Sequence, residues 1–172
     1  FDVDSIGLTL VAHNLNNGRD IGGNPVDPPT GVLIGVGANP CALSLDHEVE
    51  RYFKKLDAGA EFAVTQPIFD PDALFRFLDR VEKYRRKIPV IAGVWPLISF
   101  KNAEFMRNEV PGVVVPDAIM ERMSRCTTKE DGIKVGVEIA RESAARIGDR
   151  VAGFQVSAPL GRVEIALEVL GL

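Results

Sequence analysis

The chain has 172 residues, 46% of them apolar and 26% charged, which is enough apolar material for one packed domain and argues against disorder. Its net charge of −4 provides no global positive field for nucleic acid or anionic membranes. No apolar run approaches the roughly 18 to 20 residues that cross a bilayer, and no segment resembles a signal peptide. We therefore expect a cytoplasmic protein.

The metal-binding and thiol residues are few. Cys41 and Cys126 form no CxxC pair, which fits neither a disulfide scaffold nor a zinc site. His13 and His47 are not spaced as a metal pair, and both fall in predicted helices. We expect two free thiols in a reducing compartment and no bound metal.

Helical and strand patterns alternate along the chain. The first helix is capped by Asp2 or Asp4 and ends at the NNG of residues 16–18, and a Gly/Pro-rich stretch then leads to a buried strand. The predicted strands cover residues 32–36, 61–66, 89–94 and 151–156. The predicted helices begin near Asp46, at Asp70-Pro71, near Phe100, after Pro116, at a capping-box pattern over 127–130, and at Val163.

Apolar strands that alternate with amphipathic helices predict a parallel sheet covered by helices. Four such units fit a small doubly wound sheet or half of an eight-stranded barrel. Polar or rigid clusters follow the strands at Asn39-Pro40, Gln66-Pro67, Trp95-Pro96 and Gln155 with Ser157, at the edge where barrels place active sites. We expect residues 1–172 to be a single partial domain, the C-terminal half of a (βα)8 TIM barrel preceded by a helix. The start at Phe1 indicates that a longer protein contains it.

The Gly35-Val36-Gly37 motif does not predict a dinucleotide site. Ala38 and Asn39 follow it, so the third glycine of a Rossmann turn is missing. We interpret the small residues as a strand that packs closely against helices.

Gln66 is a candidate ligand-binding residue, because a primary amide at the end of a buried strand both donates and accepts hydrogen bonds. That capacity suits a flat heterocycle with a mixed edge, such as a pterin or a nicotinamide. The alternative is that Gln66 satisfies neighbouring backbone groups. Its position alone favours neither interpretation.

Basic residues form two further candidate sites for binding an anionic group. Arg51, Lys54 and Lys55 lie on one predicted helix with Glu48, and such a cluster is a solvated face unless it lines the rim, where it would hold phosphate. Arg162 follows the fourth strand and suits either a carboxylate or phosphate ligand or an interhelical ion pair.

Three stretches resemble methylenetetrahydrofolate reductases. They are DAGAEFAVTQPIFDPDALFRFLDR at 57–80, PVIAGVWPLISFKNAEFMRNEVPGVVVPD at 89–117, and APLGRVEIALEVL near the end. The opening FDVDSIGL through GGNP is similar to the branch fused behind a homocysteine methyltransferase domain. The resemblance implies a (βα)8 flavoprotein of one-carbon metabolism and methionine biosynthesis. In it NADH or NADPH reduces FAD, and hydride then passes to methylenetetrahydrofolate to give methyltetrahydrofolate.

The resemblance also assigns site residues. Gln66 would be the catalytic glutamine that meets folate and nicotinamide in turn. FAD would be held by Asn39, Glu48, Arg51, Lys54 and Lys55, and substrate by Gln66, Asn102, Met106 and Arg162. Three positions depart from the family: Asn39 stands where some members have histidine, Asn102 where some have glutamine, and Met106 where some have an aromatic residue.

The resemblance implies that other catalytic groups lie in an N-terminal half of the barrel. We expect the chain alone to be inactive, to need that half, and to form a homo-oligomer, since half a barrel has two unpaired strand edges. Two other functions stay open: a barrel enzyme that binds a phosphate-bearing substrate without flavin, and a noncatalytic assembly module. The residues do not distinguish NADH from NADPH.

Overall fold

The computed structural model describes residues 3–172 and contains a sheet of four parallel strands in the order β1-β2-β3-β4. The strands are β1 Gly35–Ala38, β2 Phe62–Pro67, β3 Val90–Val94 and β4 Gly153–Val156. The helices are α1 Ser5–Asn16, α2 Leu45–Asp57, α3 Pro71–Val81, α4 Phe100–Glu109, α5 Asp117–Ser124, α6 Lys129–Ile147 and α7 Val163–Leu170. Short 3-10 turns cover Gly148–Arg150 and Pro159–Gly161. The predicted α/β class, a partial TIM barrel with four βα units after an initial helix, is confirmed.

Side-chain caps fix where the helices begin. The Asp4 carboxylate accepts the N–H groups of Ile6 and Gly7, so Asp4 is the cap of α1; the alternative, Asp2, lies outside the described residues. The cap of α2 is Ser44, which corrects the start predicted near Asp46. The difference arises because the Ser44 hydroxyl accepts the His47 N–H, whereas Asp46 turns outward to pair with Arg80.

The capping box of α6 differs from the predicted one by a single position. Thr128, the residue before the helix, accepts the N–H of Asp131, and the Asp131 carboxylate accepts the N–H of Thr128. The predicted pattern over 127–130 placed the carboxylate on Glu130. Reciprocal bonding requires the third helical position, which Asp131 occupies.

The first strand begins three residues later than predicted because a side chain replaces a strand partner there. The Asn16 amide accepts the Val32 N–H at 3.0 Å and donates to the Val32 carbonyl at 2.8 Å. Strand pairing starts only where β1 lies beside β2, with Gly35 opposite Phe62. β1 is buried only at alternate residues, so the prediction of a buried strand holds for one of its two faces.

The two faces of the sheet differ in what covers them. One face is buried beneath α2, α3, α6 and α7 and carries Val36, Ala63 and Ala92 in the core. The other face is partly open to solvent, and strand register places one row of residues across it: Gly37, Val64, Ile91 and Gly153. We call this row the open face, since half a barrel leaves its interior side without the opposite strands.

A second apolar cluster holds α4 and α5 over the carboxyl ends of the strands. Leu97, Ala103, Met106 and Met123 are among its fully or almost fully buried members. Helix α6 runs close beside the loop that leads into α4, and at Gly136 the helix backbone approaches the Leu97 carbonyl directly. None of the helices within residues 3–172 is both long and apolar enough to cross a membrane.

We predict that Gly136→Ala destabilises the fold even though alanine is the better helix former. A Cβ at this position would overlap the backbone oxygen of Leu97, which no side-chain rotation relieves. We expect a loss of at least about 2 kcal/mol in urea unfolding, against a gain of about 1 kcal/mol expected from helix propensity alone. Gly153→Ala is the matched control, because its Cβ would meet no atom within 4 Å. Equal stabilities of the two variants would contradict the packing described for α6.

Candidate functional site

Side chains from three strand ends and from α4 surround one cleft of about 330 Å³. It is lined by Thr65, Gln66, Pro67, Trp95, Asn102, Phe105, Met106, Val110, Gln155 and Ser157. We call it the Gln66 cleft. Its position at the carboxyl ends of parallel strands is the one at which barrels bind ligands. The structure therefore brings together Gln66, Asn102 and Met106, three of the residues predicted for substrate.

A break in the strand register aims Gln66 into this cleft. The hydroxyl of Thr65 accepts the Gly93 N–H at 2.9 Å and donates to the Gln66 carbonyl at 2.8 Å. Thr65 thus takes the place of a backbone group between β2 and β3, and the ladder resumes where the Ile68 N–H donates to the Gly93 carbonyl at 2.9 Å. Irregularities of this kind redirect side chains next to active sites.

Gly93 is required at this break. A Cβ there would lie 2.6 Å from the Thr65 carbonyl oxygen, so no larger residue fits against the displaced strand. The close approach and the threonine hydroxyl together fix the direction of the Gln66 side chain. That side chain is exposed, and its amide makes no hydrogen bond to any other residue within 3–172.

Helix α4 contributes the opposite wall. Asn102, Phe105 and Met106 lie on one helix face at the i, i+3, i+4 spacing. The Asn102 oxygen accepts only a long bond, 3.4 Å, from the Ile98 N–H. Met106 is 3% exposed and belongs to the core, whereas Phe105 is 55% exposed. The side chain that offers a ring to a ligand is therefore Phe105, which sequence reasoning missed.

Asn39 and Glu48 lie in a second cleft, of about 470 Å³, at the end of β1. The Glu48 carboxylate accepts the Asn39 N–H at 2.9 Å, and the Asn39 oxygen accepts the Cys41 N–H at 3.1 Å. These bonds hold the loop after β1 against the first turn of α2. Burial raises the pKa of the Cys41 thiol to about 11, with a smaller contribution from Asp70.

The basic residues of α2 are each held by a different partner. Lys55 is only 7% exposed, and its ammonium donates to the Gly37 carbonyl at 2.7 Å. Burial lowers the pKa of Lys55, and the nearby Glu48 carboxylate opposes that shift. Arg51 instead contacts Asp4 and Ser5 of α1, and Lys54 pairs with Glu50 at 2.6 Å in solvent.

Arg162 lies apart from both clefts. It precedes α7, and its Nε donates to the Glu164 carboxylate at 2.8 Å. The pair is substantially exposed, so it contributes little to stability and leaves the guanidinium free to exchange partners. Its predicted contact with substrate stays a prediction.

The open face suits a flat group. At Gly37 and Gly153 an added Cβ would meet no atom within 4 Å, so the sheet carries no side chain at either end of the row. Only Val64 and Ile91 project from its middle. A planar ring system can therefore lie over the strands beside the Gln66 cleft, as a bound isoalloxazine would require. Within the part of the chain that the structure describes, no three His, Cys, Asp or Glu side chains cluster as metal ligands.

Comparison with known proteins identifies one family. The family model of methylenetetrahydrofolate reductase matches residues 34–158, which contain both clefts. Methylenetetrahydrofolate reductase 2 of Schizosaccharomyces pombe is 30% identical over 125 residues, 69% of this chain and 19% of that protein. The 5,10-methylenetetrahydrofolate reductase of Escherichia coli is 35% identical over 66 residues, 38% of the chain and 22% of that protein. A probable NADH-dependent reductase of rice is 26% identical over 133 residues, 74% of the chain and 22% of that protein.

A solved structure supports the fold. An uncharacterized protein from Clostridium thermocellum that binds two copies of 5-methyl-5,6,7,8-tetrahydrofolic acid superposes with a TM-score of 0.59 at 20% identity. The alignment covers 84% of this chain and 53% of that one. The chain thus spans about half of that structure, and 19% and 20% of the two S. pombe reductases it matches.

We predict that Thr65→Val destabilises the protein by about 1 to 3 kcal/mol, because it leaves the buried Gly93 N–H and the part-buried Gln66 carbonyl without their partner. Thr65→Ser is the matched control, since it keeps the hydroxyl. Urea unfolding of the three proteins measures the difference. A Thr65→Val protein as stable as the serine variant would show that the hydroxyl does not hold the break.

We predict that Cys41 resists alkylation near neutral pH. Because the pKa of its thiol is about 11 rather than 9.0, the reactive thiolate forms in the folded protein only at strongly alkaline pH. Iodoacetamide labelling followed by peptide mass spectrometry should give a midpoint near 11 in the folded protein and near 9 in urea. Equal labelling rates at pH 8 in both states would show that Cys41 is not shielded.

Proposed function

Since the chain belongs to the methylenetetrahydrofolate reductase family, we propose that the protein containing it reduces 5,10-methylenetetrahydrofolate to 5-methyltetrahydrofolate. It would then be an oxidoreductase of one-carbon metabolism that supplies the methyl group for methionine biosynthesis. The observation that carries the proposal is the Gln66 cleft, which lies inside the matched residues at the ligand-binding edge of the sheet.

Gln66 is proposed as the catalytic residue of this cleft. Its amide has no partner elsewhere within residues 3–172, so one donor pair and one acceptor are available to a ligand. A pterin and a nicotinamide both present neighbouring donors and acceptors on one planar edge. One amide therefore serves both ligands in turn, provided that the backbone break at Thr65 keeps it aimed into the cleft.

The other substrate contacts follow from the same cleft. Asn102 has an amide whose single long bond, to Ile98, costs little to exchange for a ligand. Met106 forms the apolar floor beneath it. Arg162 lies outside the cleft and would have to release Glu164 to reach an anionic group of the substrate, for which the glutamyl carboxylates of a folate are suitable.

FAD is the proposed cofactor, and when bound it supplies the hydride that NADH or NADPH has delivered. The bare glycines of the open face leave room for its ring, and Asn39 and Glu48 lie beside it in the second cleft. Arg51 and Lys54 are held by exposed carboxylates that a diphosphate can displace. Lys55 is buried, so its contribution would be the positive charge it places behind the Gly37 carbonyl.

The chain alone is proposed to be inactive and to need the N-terminal half of its barrel. Each of β1 and β4 has one edge without a strand partner among the described residues. Exposed apolar side chains lie on the helices beside those edges, Leu8 on α1 and Val163 and Leu167 on α7. These surfaces also support association into a homo-oligomer. A cytoplasmic location remains part of the proposal.

The test is the anaerobic visible spectrum of the whole polypeptide that contains this chain. We expect flavin absorption in the oxidised protein, and we expect it to bleach when methyltetrahydrofolate is added, which is the folate half-reaction in reverse. A well-folded barrel that neither carries FAD nor can be reconstituted with it would contradict the proposal. It would favour a barrel enzyme that binds a phosphate-bearing substrate without flavin.

We predict that Gln66→Ala lowers kcat/KM for methylenetetrahydrofolate by roughly 10- to 100-fold, the loss expected for one or two hydrogen bonds to the reacting ring. Flavin content should stay unchanged, because Gln66 lies in the other cleft from Asn39 and Glu48. Asn108→Ala, which removes an exposed amide from α4, is the control. Equal kcat/KM values for the two variants would show that Gln66 is not a catalytic residue.

A further inference from the structure

A cavity of about 210 Å³ lies at the amino ends of β3 and β4, opposite the end of the sheet that carries the Gln66 cleft. Its walls come from α2, from the end of α3 and from the residues that lead into the two strands. We call it the Tyr52 cavity. The length of β3, roughly 16 Å at about 3.3 Å per residue, separates it from the Gln66 cleft. A molecule bound in one of them would therefore not overlap with a ligand of the other.

The Tyr52 cavity has an apolar interior and a charged mouth. Four of its lining residues are almost fully buried: Tyr52, Leu78, Val81 and Val90. Its charged lining residues are all exposed: Glu82, Arg86, Lys87 and Arg150. The hydroxyl of Tyr52 is thus the one polar side-chain group among the buried lining residues.

That hydroxyl has no hydrogen-bond partner and yet is not sealed in the core. Tyr52 reaches inward from α2, and its ring is held edge-on to Phe77 of α3 with the ring centroids 5.2 Å apart. Burial alone raises the pKa of the hydroxyl to about 12, with no hydrogen bond or neighbouring charge contributing. Among the side chains of residues 3–172, the one sealed nitrogen or oxygen without a partner is Nε1 of Trp95. The Tyr52 hydroxyl therefore has accessible surface, and the cavity that Tyr52 lines supplies it.

The mouth of the cavity carries positive charge that no carboxylate within residues 3–172 neutralises. Arg86 donates to two backbone carbonyls, at 2.7 and 3.0 Å, which uses only two of its five N–H donors. Lys87 is exposed and forms no ion pair with a described residue. Arg150, by contrast, is paired with Asp79 at 2.7 Å and with Glu82 at 3.5 Å. An anionic group at the mouth would meet Arg86 and Lys87 as partners that are still available.

We propose that the Tyr52 cavity binds a small organic carboxylate with a single ring and a hydroxyl group at the far end of that ring. The carboxylate lies at the mouth against Arg86 and Lys87, and the ring fills the apolar interior. The ligand hydroxyl meets that of Tyr52, since each can both donate and accept. A cavity of about 150 Å³ encloses benzene, so one of about 210 Å³ holds a ring with a short side chain. This site does not depend on the proposed reductase function.

Three probes separate the parts of this proposal in calorimetric titrations of the whole polypeptide. 4-Hydroxyphenylacetate has the ring, the carboxylate and the hydroxyl, whereas phenylacetate lacks the hydroxyl and 4-methylphenol lacks the carboxylate. We expect 4-hydroxyphenylacetate to bind with a Kd of about 1 mM or lower. The other two probes should each bind roughly 2- to 10-fold more weakly, as the loss of one polar contact requires.

Variants place the binding in this cavity. Tyr52→Phe keeps the ring and should raise the Kd of 4-hydroxyphenylacetate by roughly 2- to 10-fold while leaving that of phenylacetate unchanged. Tyr84→Phe is the matched control, because it removes the same atom from a tyrosine that bonds to Asp57 and does not line the cavity. Lys87→Gln should weaken the binding of both acids and leave that of 4-methylphenol unchanged.

Several results would overturn the proposal. The first is the absence of saturable binding of 4-hydroxyphenylacetate to folded wild type up to about 10 mM. The second is an equal Kd for wild type and Tyr52→Phe. The third is an equal loss of both acids in Tyr52→Phe, since that would show a distorted cavity rather than one missing hydrogen bond. None of these results bears on the reduction of methylenetetrahydrofolate.

Discussion

The hydroxyl group of Thr65 joins β2 to β3 at the point where their backbone ladder is interrupted. By accepting the Gly93 N–H and donating to the Gln66 carbonyl, it satisfies two groups that the interruption would leave unpaired. Gly93 allows the strands to approach at that point, since a Cβ would meet the Thr65 carbonyl oxygen at 2.6 Å. The irregularity that Thr65 and Gly93 stabilise lies directly beside Gln66, whose exposed amide borders the cleft.

The sheet also sets the Gln66 cleft and the second cleft, which contains Asn39 and Glu48, side by side at the ends of neighbouring strands. Its helix-covered face holds the core, and its open face ends in bare glycines, Gly37 and Gly153, beside strand ends that carry polar side chains. Glu48 and Asn39 are tied to each other at one strand end, and Gln66 projects from the next. A planar cofactor over the open face would lie next to both, which is the arrangement that the proposed hydride transfer needs.

The sequence predicted the class of fold, because apolar strands and amphipathic helices leave clear periodic patterns. It placed the candidate site at the carboxyl ends of the strands, because polar residues follow each strand there. Gln66 was predicted as a candidate ligand-binding residue because it lies at the end of a buried strand. Thr65 was missed because a threonine in a strand reads as an ordinary β-branched residue, and only the register shows its hydroxyl replacing a backbone group. Phe105 was missed because the resemblance pointed to Met106, one position along the helix, which the structure buries instead. The cap at Ser44 was missed because Asp46, two residues later, is an equally favoured type of helix cap.

The proposed function requires the Gln66 cleft to receive the reduced pterin ring. A crystal structure of the whole polypeptide with 5-methyltetrahydrofolate bound tests it most directly. We expect the edge of the pterin within hydrogen-bond distance of the Gln66 amide, with the ring between β2 and α4. A folate bound elsewhere, with Gln66 still facing solvent, would contradict the account.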